Sequence, residues 1–411
     1  MLIKEAEQRV KSQFERLEEV EFINSKKVLN AFSEFGINEA HFAPTSGYGY
    51  DDFGRDTLEK VFAKVFGGED AIVRHTITSG THALTTVLFG LLETGDHLLA
   101  VSGKPYDTLE EAIGIRGDAY GSLKRFGVTY SQVDLLEDGS PDYENIEKAL
   151  KENKPKVVMM QRSKGYAFRK SLDIAEIEKL VKFIKERCPD CFIFADNCYG
   201  EFCEEKEPCD VGVDVVAGSL IKNPGGGIAP TGGYIVGTFD AIERIANRLT
   251  SPGIGKEGGA SLGVTKSFFQ GLFMAPSVVC SALKTAVLTA DIFENLGYKV
   301  CPSSDEKRTD IIQAVILESK ERLVKFCQGI QKGSPVDSNV LPEPWAMPGY
   351  AHEVIMAAGA FTQGSSIELS ADGPIKEPYA VYMQGGLTYS YGKLGIKSAI
   401  SFLEKENLLK K

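Results

Sequence analysis

Gly218-Ser219-Leu220-Ile221-Lys222-Asn223-Pro224-Gly225-Gly226-Gly227 is the stretch that decides the fold of this chain. Lys222 follows the apolar run Val215–Ala217, predicted to be a strand, and opens a loop of small residues. Ligands of open α/β sheets bind beyond the carboxyl ends of the strands, and a partly desolvated lysine there can form a Schiff base with a carbonyl compound. By itself, a surface-loop lysine explains the same letters, because Ser-x-x-Lys is a short pattern.

A second signal lies upstream, where Asp196 ends the apolar run Phe192–Ala195. A carboxylate at the end of a buried strand needs a positive partner. The protonated nitrogen of a pyridine ring is such a partner, and the pairing keeps the ring electron-withdrawing. A helix cap or a loop ion pair is the alternative for Asp196.

A third signal is Ser79-Gly80-Thr81-His82-Ala83, between a predicted strand and a predicted helix. Gly80 permits close approach of the backbone, and the hydroxyls of Ser79 and Thr81 can donate hydrogen bonds. The free N–H groups of a helix start suit a phosphate dianion. A helix cap alone would explain this segment, but a phosphate cup, a strand-end aspartate and a strand-end lysine in this order are much less expected by chance.

Short apolar strands and amphipathic helices alternate from Thr57 to Val236, which predicts a three-layer α/β domain with a mostly parallel sheet and one antiparallel strand. We assign residues 1–55 to an N-terminal arm, 56–295 to the large domain and 296–411 to a smaller α+β domain. The predicted elements of the smaller domain are helix Thr309–Lys325, strands Val354–Ala358, Ser366–Leu369 and Ala380–Gln384, and helix Tyr391–Glu404.

The charge balance restricts the partners. The 411 residues include 46 Lys and Arg against 57 Asp and Glu, a net charge of −11. The chain therefore lacks the positive field that nucleic-acid or anionic-membrane binding needs, and we expect a small-molecule substrate and copies of the chain itself as partners. Met1–Glu21 has no apolar signal region, and Lys284 and Asp291 interrupt the apolar stretch Met274–Phe293, so we expect a cytoplasmic protein.

Five of the eight cysteines crowd into one stretch, at positions 188, 191, 198, 203 and 209. Only Cys188 and Cys191 have the C-x-x-C spacing, whereas a tetrahedral metal site needs two such arms. We therefore expect no metal, and thiols that are reduced.

Several motifs together resemble fold type I pyridoxal-phosphate enzymes, the aspartate-aminotransferase fold. Within that fold the chain is most similar to the methionine gamma-lyase and cystathionine-lyase-like family, in the branch named for aluminium resistance. The likeness spans essentially the whole sequence. The motifs that carry it are Gly47–Asp52, Gly54–Glu59, Ser79–Ala83, Ser102–Leu109, Asp196–Phe202 and Ser219–Gly233.

The resemblance implies pyridoxal 5′-phosphate as cofactor and a role for each matching residue. Lys222 would form the Schiff base, Asp196 would pair with the pyridinium nitrogen, and Tyr106 would stack on the ring unless it is only a packed loop aromatic. The phosphate would be held by Ser79, Gly80, Thr81 and Ser219. In the related lyases a Tyr and an Arg of the neighbouring subunit complete this site; Tyr50 and Arg55 are the candidates, with Tyr48 as a substitute, and a homodimer or homotetramer follows.

Two departures from the better-known lyases affect the substrate site. The usual Asn-Pro-Thr is replaced by Gln161-Arg162-Ser163-Lys164-Gly165-Tyr166, and no arginine follows Arg322 to bind the substrate carboxylate. A carboxylate prefers a bidentate guanidinium, so Arg162 and Arg169 are the candidate substitutes, each of which could instead be a loop charge.

The implied activity is carbon–sulfur lysis of a sulfur amino acid of the cystathionine or methionine type. Lys222, kept neutral by its neighbours, would remove the Cα proton, and β- or γ-elimination would release a thiol. An aminotransferase, an aldolase, a cysteine desulfurase and a cofactor-retaining regulatory protein are the alternatives. A dinucleotide-binding enzyme is disfavoured because no G-x-G-x-x-G follows the first strand.

Overall fold

A seven-stranded sheet forms the centre of the protein, which was analysed as a computed structural model describing residues 2–347, 350 and 352–410. The spatial order of its strands is β1-β7-β6-β5-β4-β2-β3. Only β7 runs antiparallel to its neighbours, which confirms the predicted mostly parallel sheet. The strands are β1 (Asp70–Arg74), β2 (His97–Ala100), β3 (Thr129–Gln132), β4 (Val157–Gln161), β5 (Phe192–Asp196), β6 (Val215–Ser219) and β7 (Gly233–Gly237).

Helices cover both faces of this sheet. Alternate residues of a strand point to opposite faces, and accordingly Val158 and Met160 join one hydrophobic core whereas Val157 and Met159 join the other. The helices of this part are α3 (Phe53–Phe66), α4 (Gly80–Leu91), α5 (Glu110–Ile113), α6 (Tyr143–Asn153), α7 (Ile174–Arg187), α8 (Phe239–Leu249) and α9 (Thr265–Asn295).

A second sheet, entirely antiparallel, occupies the C-terminal region. Its order is β10-β11-β12-β9-β8, and its hydrophobic core is separate from those of the large sheet. The elements are β8 (Lys299–Cys301), β9 (Gln313–Ile316), α10 (Lys320–Lys332), β10 (Val354–Ala357), β11 (Ser370–Pro374), β12 (Ala380–Gln384) and α11 (Tyr389–Lys405).

Two predictions in this region were wrong. The segment predicted as one helix over 309–325 contains strand β9 and only the start of α10, and the strand predicted at 366–369 lies four positions later, as β11. Arg308, Asp310 and Gln313 are buried and hydrogen-bonded. Asp310 pairs with Lys164 after β4, whereas Arg308 and Gln313 hydrogen-bond each other, so the segment is fixed by tertiary contacts that the sequence does not show.

The N-terminal arm is helical, with α1 (Leu2–Arg9) and α2 (Lys11–Glu34), and both helices pack against α9. Within the described residues, α9 is the one helix long and apolar enough to cross a membrane, but 72% of its most apolar window is buried inside the protein. Such burial is typical of a core helix, and Arg9 of the arm pairs with Asp291 on α9 at 2.6 Å.

The helix α9 also supports the loop that follows Lys222. A Cβ built on Gly271 would lie 2.4 Å from the carbonyl oxygen of Gly225, and one built on Gly225 would lie 1.7 Å from the carbonyl oxygen of Leu220. Real Cβ atoms do not approach so closely. Glycine at 271 is therefore required for the contact between helix and loop, and glycine at 225 for the turn within the loop itself.

We predict that Gly271→Ala destabilises the protein. The added methyl group must displace the backbone of the loop, and overpacking of this kind costs about 1–3 kcal/mol, against a gain in helix propensity of at most about 1 kcal/mol. Urea denaturation should show a net loss, whereas Ser277→Ala on an exposed position of α9 should change the free energy of unfolding by less than about 0.5 kcal/mol. Equal stability of the two variants would contradict the close approach.

Candidate active site

The three sequence signals converge at one edge of the large sheet. Strands β4, β5 and β6 are neighbours with Gln161 beside Asp196 and Asp196 beside Ala217, and Lys222 follows the end of β6. They surround a cavity of about 260 Å³, the inner cavity, lined by Ser79, Gly80, Thr81, Tyr106, Asp196, Ser219 and Lys222. Every residue predicted to bind the cofactor within one subunit therefore lines a single cavity.

Lys222 is held above an aromatic ring. Its Nζ lies 3.9 Å from the centroid of the Tyr199 ring, an arrangement that favours a cation. Burial by itself lowers the pKa of Lys222, but Cys198, Tyr199, Asp196 and Glu201 outweigh burial and the pKa is raised. Removal of a proton by Lys222 requires a neutral amine, and the expectation that its neighbours keep it neutral during the reaction stays a prediction.

Asp196 is a buried carboxylate that could accept a further positively charged partner. Burial raises its pKa, against the opposing effect of Lys222 and of a hydrogen bond from the backbone N–H of Cys198 to Oδ1 at 3.1 Å. A carboxylate with so few partners in the interior is stabilised by a further positive group. That is the environment in which a protonated ring nitrogen is bound.

The start of α4 provides anion-binding groups. Ser79 caps the helix, accepting from the backbone N–H of His82 at 3.1 Å, and Thr81 hydrogen-bonds Thr108 at 2.7 Å. The hydroxyl of Ser219 is buried with no partner among the described residues. These hydroxyls and the free N–H groups of a helix start form a site suited to a phosphate group.

Sequence reasoning missed much of the wall that faces Lys222. The motif around Asp196 would have suggested Cys198 and Tyr199, but the residues from the C-terminal sheet follow no motif. The missed lining residues are Thr108, Gln161, Tyr166, Cys198, Tyr199, Tyr350, Met356, Ser365, Ser366, Ser370 and Asp372.

Gln161 is the last residue of β4 and lines the inner cavity. Its Nε2 donates to the carbonyl oxygen of Ser163 at 2.9 Å, and its Oε1 is buried without a partner among the described residues. Gln161 is therefore a candidate contact for the polar edge of a bound ring, a role that the sequence left unassigned.

The structure contradicts the prediction that Arg162 binds the substrate carboxylate. Its side chain is completely buried and pairs with Glu204 at 2.8 Å and Glu207 at 3.4 Å. It also donates to Asn197 Oδ1 at 2.9 Å. The guanidinium is thus occupied by two ion pairs and a hydrogen bond inside the protein. Arg162 does not line the inner cavity.

Arg169 lies nearer to the site. It lines a larger adjoining cavity of about 530 Å³, the outer cavity, which shares Tyr106, Gln161, Tyr166 and Tyr350 with the inner one. Its guanidinium donates to the backbone carbonyls of Lys170 at 2.8 Å and Ser163 at 3.0 Å. Its role as a carboxylate ligand stays a prediction.

Tyr50 and Arg55 do not line the inner cavity of their own chain. Tyr50 is exposed and stacks on Tyr48 with ring centroids 5.6 Å apart, so its proposed contact across a subunit interface stays a prediction. Arg55 is buried and pairs with Asp56 at 2.7 Å, and its guanidinium also donates to the carbonyls of Gly49, Glu257 and Gly259. To bind a partner's phosphate Arg55 would have to release one of these acceptors.

The cysteine cluster does not converge on one point. All eight thiols are free, and no group of three or more metal-ligating side chains occurs among the residues described by the structure. Cys191 donates to the carbonyl of Cys188 at 3.0 Å, whereas Cys198 lies in the inner cavity.

Comparison with known proteins agrees with this geometry. The sequence profile of methionine gamma-lyase matches residues 1–404. The chain belongs to the methionine gamma-lyase family. It is 53% identical over 395 residues to the uncharacterized protein YnbB of Bacillus subtilis, covering 96% of this chain and 94% of that one.

Solved structures of family relatives have the same fold. A carbon-sulfur lyase involved in aluminium resistance from Clostridium novyi superposes with a TM-score of 0.94 at 53% identity, over 97% of this chain and 94% of that one. The pyridoxal-5′-phosphate-dependent protein YhfS of Escherichia coli, at 17% identity, superposes with a TM-score of 0.60 over 94% of this chain and 97% of that one, which shows the fold alone.

The cofactor of this family member is pyridoxal 5′-phosphate, and the residues present fit it. The unpartnered Ser219 hydroxyl and the start of α4 suit its phosphate, Asp196 its ring nitrogen and Lys222 its aldehyde carbon. Ser219, Asp196 and Lys222 all line the inner cavity.

We predict that Arg162→Ala reduces stability rather than substrate affinity alone. Removing the guanidinium leaves Glu204 and Glu207 buried without their partner, which costs about 3–5 kcal/mol. Urea denaturation of the cofactor-loaded protein measures the loss, and Arg244→Ala, which breaks an exposed pair with Asp240, should cost less than about 1 kcal/mol. Unchanged stability together with a raised KM would restore Arg162 as a substrate ligand.

Proposed function

We propose that the protein is a pyridoxal-phosphate-dependent carbon–sulfur lyase acting on a sulfur amino acid of the cystathionine or methionine type. The observation that carries the proposal is that Lys222 and Asp196 line one cavity together with tyrosines and serines. Relatives support the direction of the proposal: a 29% identical segment of 199 residues is shared with the L-methionine gamma-lyase of Treponema denticola, and the Clostridium novyi relative is named a carbon-sulfur lyase.

When bound, the cofactor supplies an electron sink that makes the substrate Cα–H acidic. Among the described residues lining the inner cavity, Lys222 carries the only amine, so it is the group that can take the proton from Cα and return it to the product. A positive ring nitrogen at Asp196 would offset one of the charges that raise the pKa of Lys222, and the amine would then release its own proton more readily.

Two tyrosine hydroxyls of the inner cavity are candidate proton donors for the step that follows removal of the Cα proton. Tyr106 and Tyr350 share a hydrogen bond at 2.9 Å between their hydroxyls, and burial raises the pKa of both. Both therefore remain neutral hydroxyls that can donate to a departing thiolate.

The protein is also proposed to be a cytoplasmic homodimer or homotetramer. Three aromatic side chains near the N-terminal end of α3 are strongly exposed: Tyr48 at 79%, Tyr50 at 53% and Phe53 at 56%. A contiguous exposed aromatic surface of this kind suits a second copy of the chain.

The test is product analysis of the loaded protein with L-cystathionine, L-methionine and S-alkyl-L-cysteines. A lyase releases a keto acid, ammonia and a thiol in equal amounts. An aminotransferase would retain the nitrogen, an aldolase would release an aldehyde and a desulfurase would leave alanine. No turnover with any amino acid would favour a cofactor-retaining regulatory protein.

We predict that Lys222→Ala lowers keto-acid release at least a thousandfold, since the variant has no amine to move the Cα proton. Lys266→Ala, an exposed lysine of α9, is the matched control and should retain the wild-type rate. Thermal unfolding of both variants checks that the fold persists. Turnover by Lys222→Ala within tenfold of wild type would refute the assignment.

A further inference from the structure

Asp372 is a buried carboxylate in the inner cavity that the proposed reaction does not use. It lies on β11 opposite Met356 of β10, and its side chain is 7% exposed. No described residue hydrogen-bonds its Oδ1 atom. A buried carboxylate oxygen left without a donor is costly, so this atom is a candidate for ligand binding.

Asp372 is also a charged residue of the inner cavity that the cofactor would not engage. The charged lining residues of the described structure are Asp196, Lys222 and Asp372. The cofactor engages the first two, and no arginine lines the cavity to offset the third. The substrate side of the inner cavity is therefore negative, and it attracts a cationic group.

The inner and outer cavities adjoin each other beside the C-terminal sheet, since they share four lining residues. Register pairs Val354 with Pro374 and Met356 with Asp372, and residues two apart on a strand share a face. The first pair lines the outer cavity, whereas Met356 and Asp372 line the inner one. The two positions are about 7 Å apart along the strand.

The outer cavity has more cations than anions among its described lining residues. Its two carboxylates, Asp107 and Glu110, pair with Lys104 and Arg116, and Lys164 pairs with Asp310. Arg169 and the exposed Lys376 also line it, and the described hydrogen bonds of the Arg169 guanidinium go to backbone carbonyls. A ligand that extends from Lys222 into the outer cavity thus meets a carboxylate first and a guanidinium beyond it. A zwitterionic amino-acid group matches this order of charges.

Apart from Lys222, the titratable groups that surround Asp372 are neutral where Asp372 itself titrates. Those facing it are Lys222, Tyr106, Tyr166, Tyr199 and Tyr350 across the cavity, Tyr382 on β12 and Cys327 on α10. Burial raises the pKa of each of these tyrosines and of Cys327, so all of them stay protonated, and Lys222 is the cation. Burial also raises the pKa of Asp372 to about 6.

We propose that Asp372 is a specificity-determining residue that binds an ammonium group on the far arm of the substrate, so that the preferred substrates are thioether or disulfide amino acids whose sulfur carries a second amino-acid group. Arg169 and Lys376 receive the carboxylate of that arm. This inference rests on the proposed lyase function and narrows it, since a methionine-type substrate has no such arm.

The test compares L-cystathionine with the analogue that lacks the ammonium group on the arm that does not react. This analogue is S-(3-carboxypropyl)-L-cysteine if the products of L-cystathionine show β-elimination, and S-(2-carboxyethyl)-L-homocysteine if they show γ-elimination. Keto-acid release by the wild-type holoenzyme should show a kcat/KM at least tenfold higher for L-cystathionine. In Asp372→Asn the ratio of the two kcat/KM values should fall toward one, mainly through KM. Asp240→Asn, an exposed aspartate of α8, should keep the wild-type ratio.

The pH dependence provides a second readout that needs no variant. Below a pH of about 6 Asp372 takes up a proton and loses its attraction for an ammonium group, so the wild-type ratio should fall on acidification. His352 also lines the outer cavity, and loss of this pH dependence in Asp372→Asn attributes the change to the carboxylate.

The possible outcomes distinguish the role of Asp372 from the lyase function on which it rests. Equal kcat/KM values of the wild type for the two substrates would overturn the role of Asp372 and leave the lyase function standing. A loss in Asp372→Asn that is equal for both substrates would overturn it as well, because it would place the carboxylate at the reacting end. Absence of keto acid from both substrates would refute the lyase function itself and, with it, the substrate class.

Discussion

The site depends on two oppositely charged groups at the ends of neighbouring strands. Asp196 ends β5 and is buried, and Lys222, which is half-buried, follows β6. A buried charge is stable only with partners, and the positive charge of Lys222 offsets part of the cost of burying Asp196. Binding of a cofactor with a cationic ring nitrogen and an aldehyde gives each charge a dedicated partner. The glycine contacts between α9 and the loop support Lys222, and tyrosines form part of the cavity around both groups.

A second buried network supports the first from behind. Arg162 pairs with Glu204 and Glu207 and hydrogen-bonds Asn197, the residue next to Asp196. Because Asn197 also donates to Glu207 at 3.0 Å, the turn after β5 is fixed by several charge-assisted bonds. Arg162 therefore positions the strand end that carries Asp196 and does not itself meet the substrate.

The sequence was sufficient for the large sheet and for the cofactor residues because their signals are local. Apolar strands with polar ends, a helix start with hydroxyls and a lysine before glycines are each recognisable within a few residues. The strands of the C-terminal sheet were harder to predict from the sequence. Strand β11 reads Ser-Ala-Asp-Gly-Pro and has no β-branched residue, so only its tertiary partners reveal it. Asp372, Tyr166 and Tyr350 reach the cavity from three separate segments, a convergence that no local pattern indicates.

Borohydride reduction of the holoprotein, followed by peptide mapping, tests the central claim most directly. The reagent reduces a carbon–nitrogen double bond to a stable single bond and so fixes the cofactor on the lysine that holds it. The account predicts the pyridoxyl label on the peptide that contains Lys222, and none on the buried Lys164, which pairs with Asp310 at 3.3 Å. A label on another lysine, or a protein that binds the cofactor and takes no label, would contradict the assignment of Lys222.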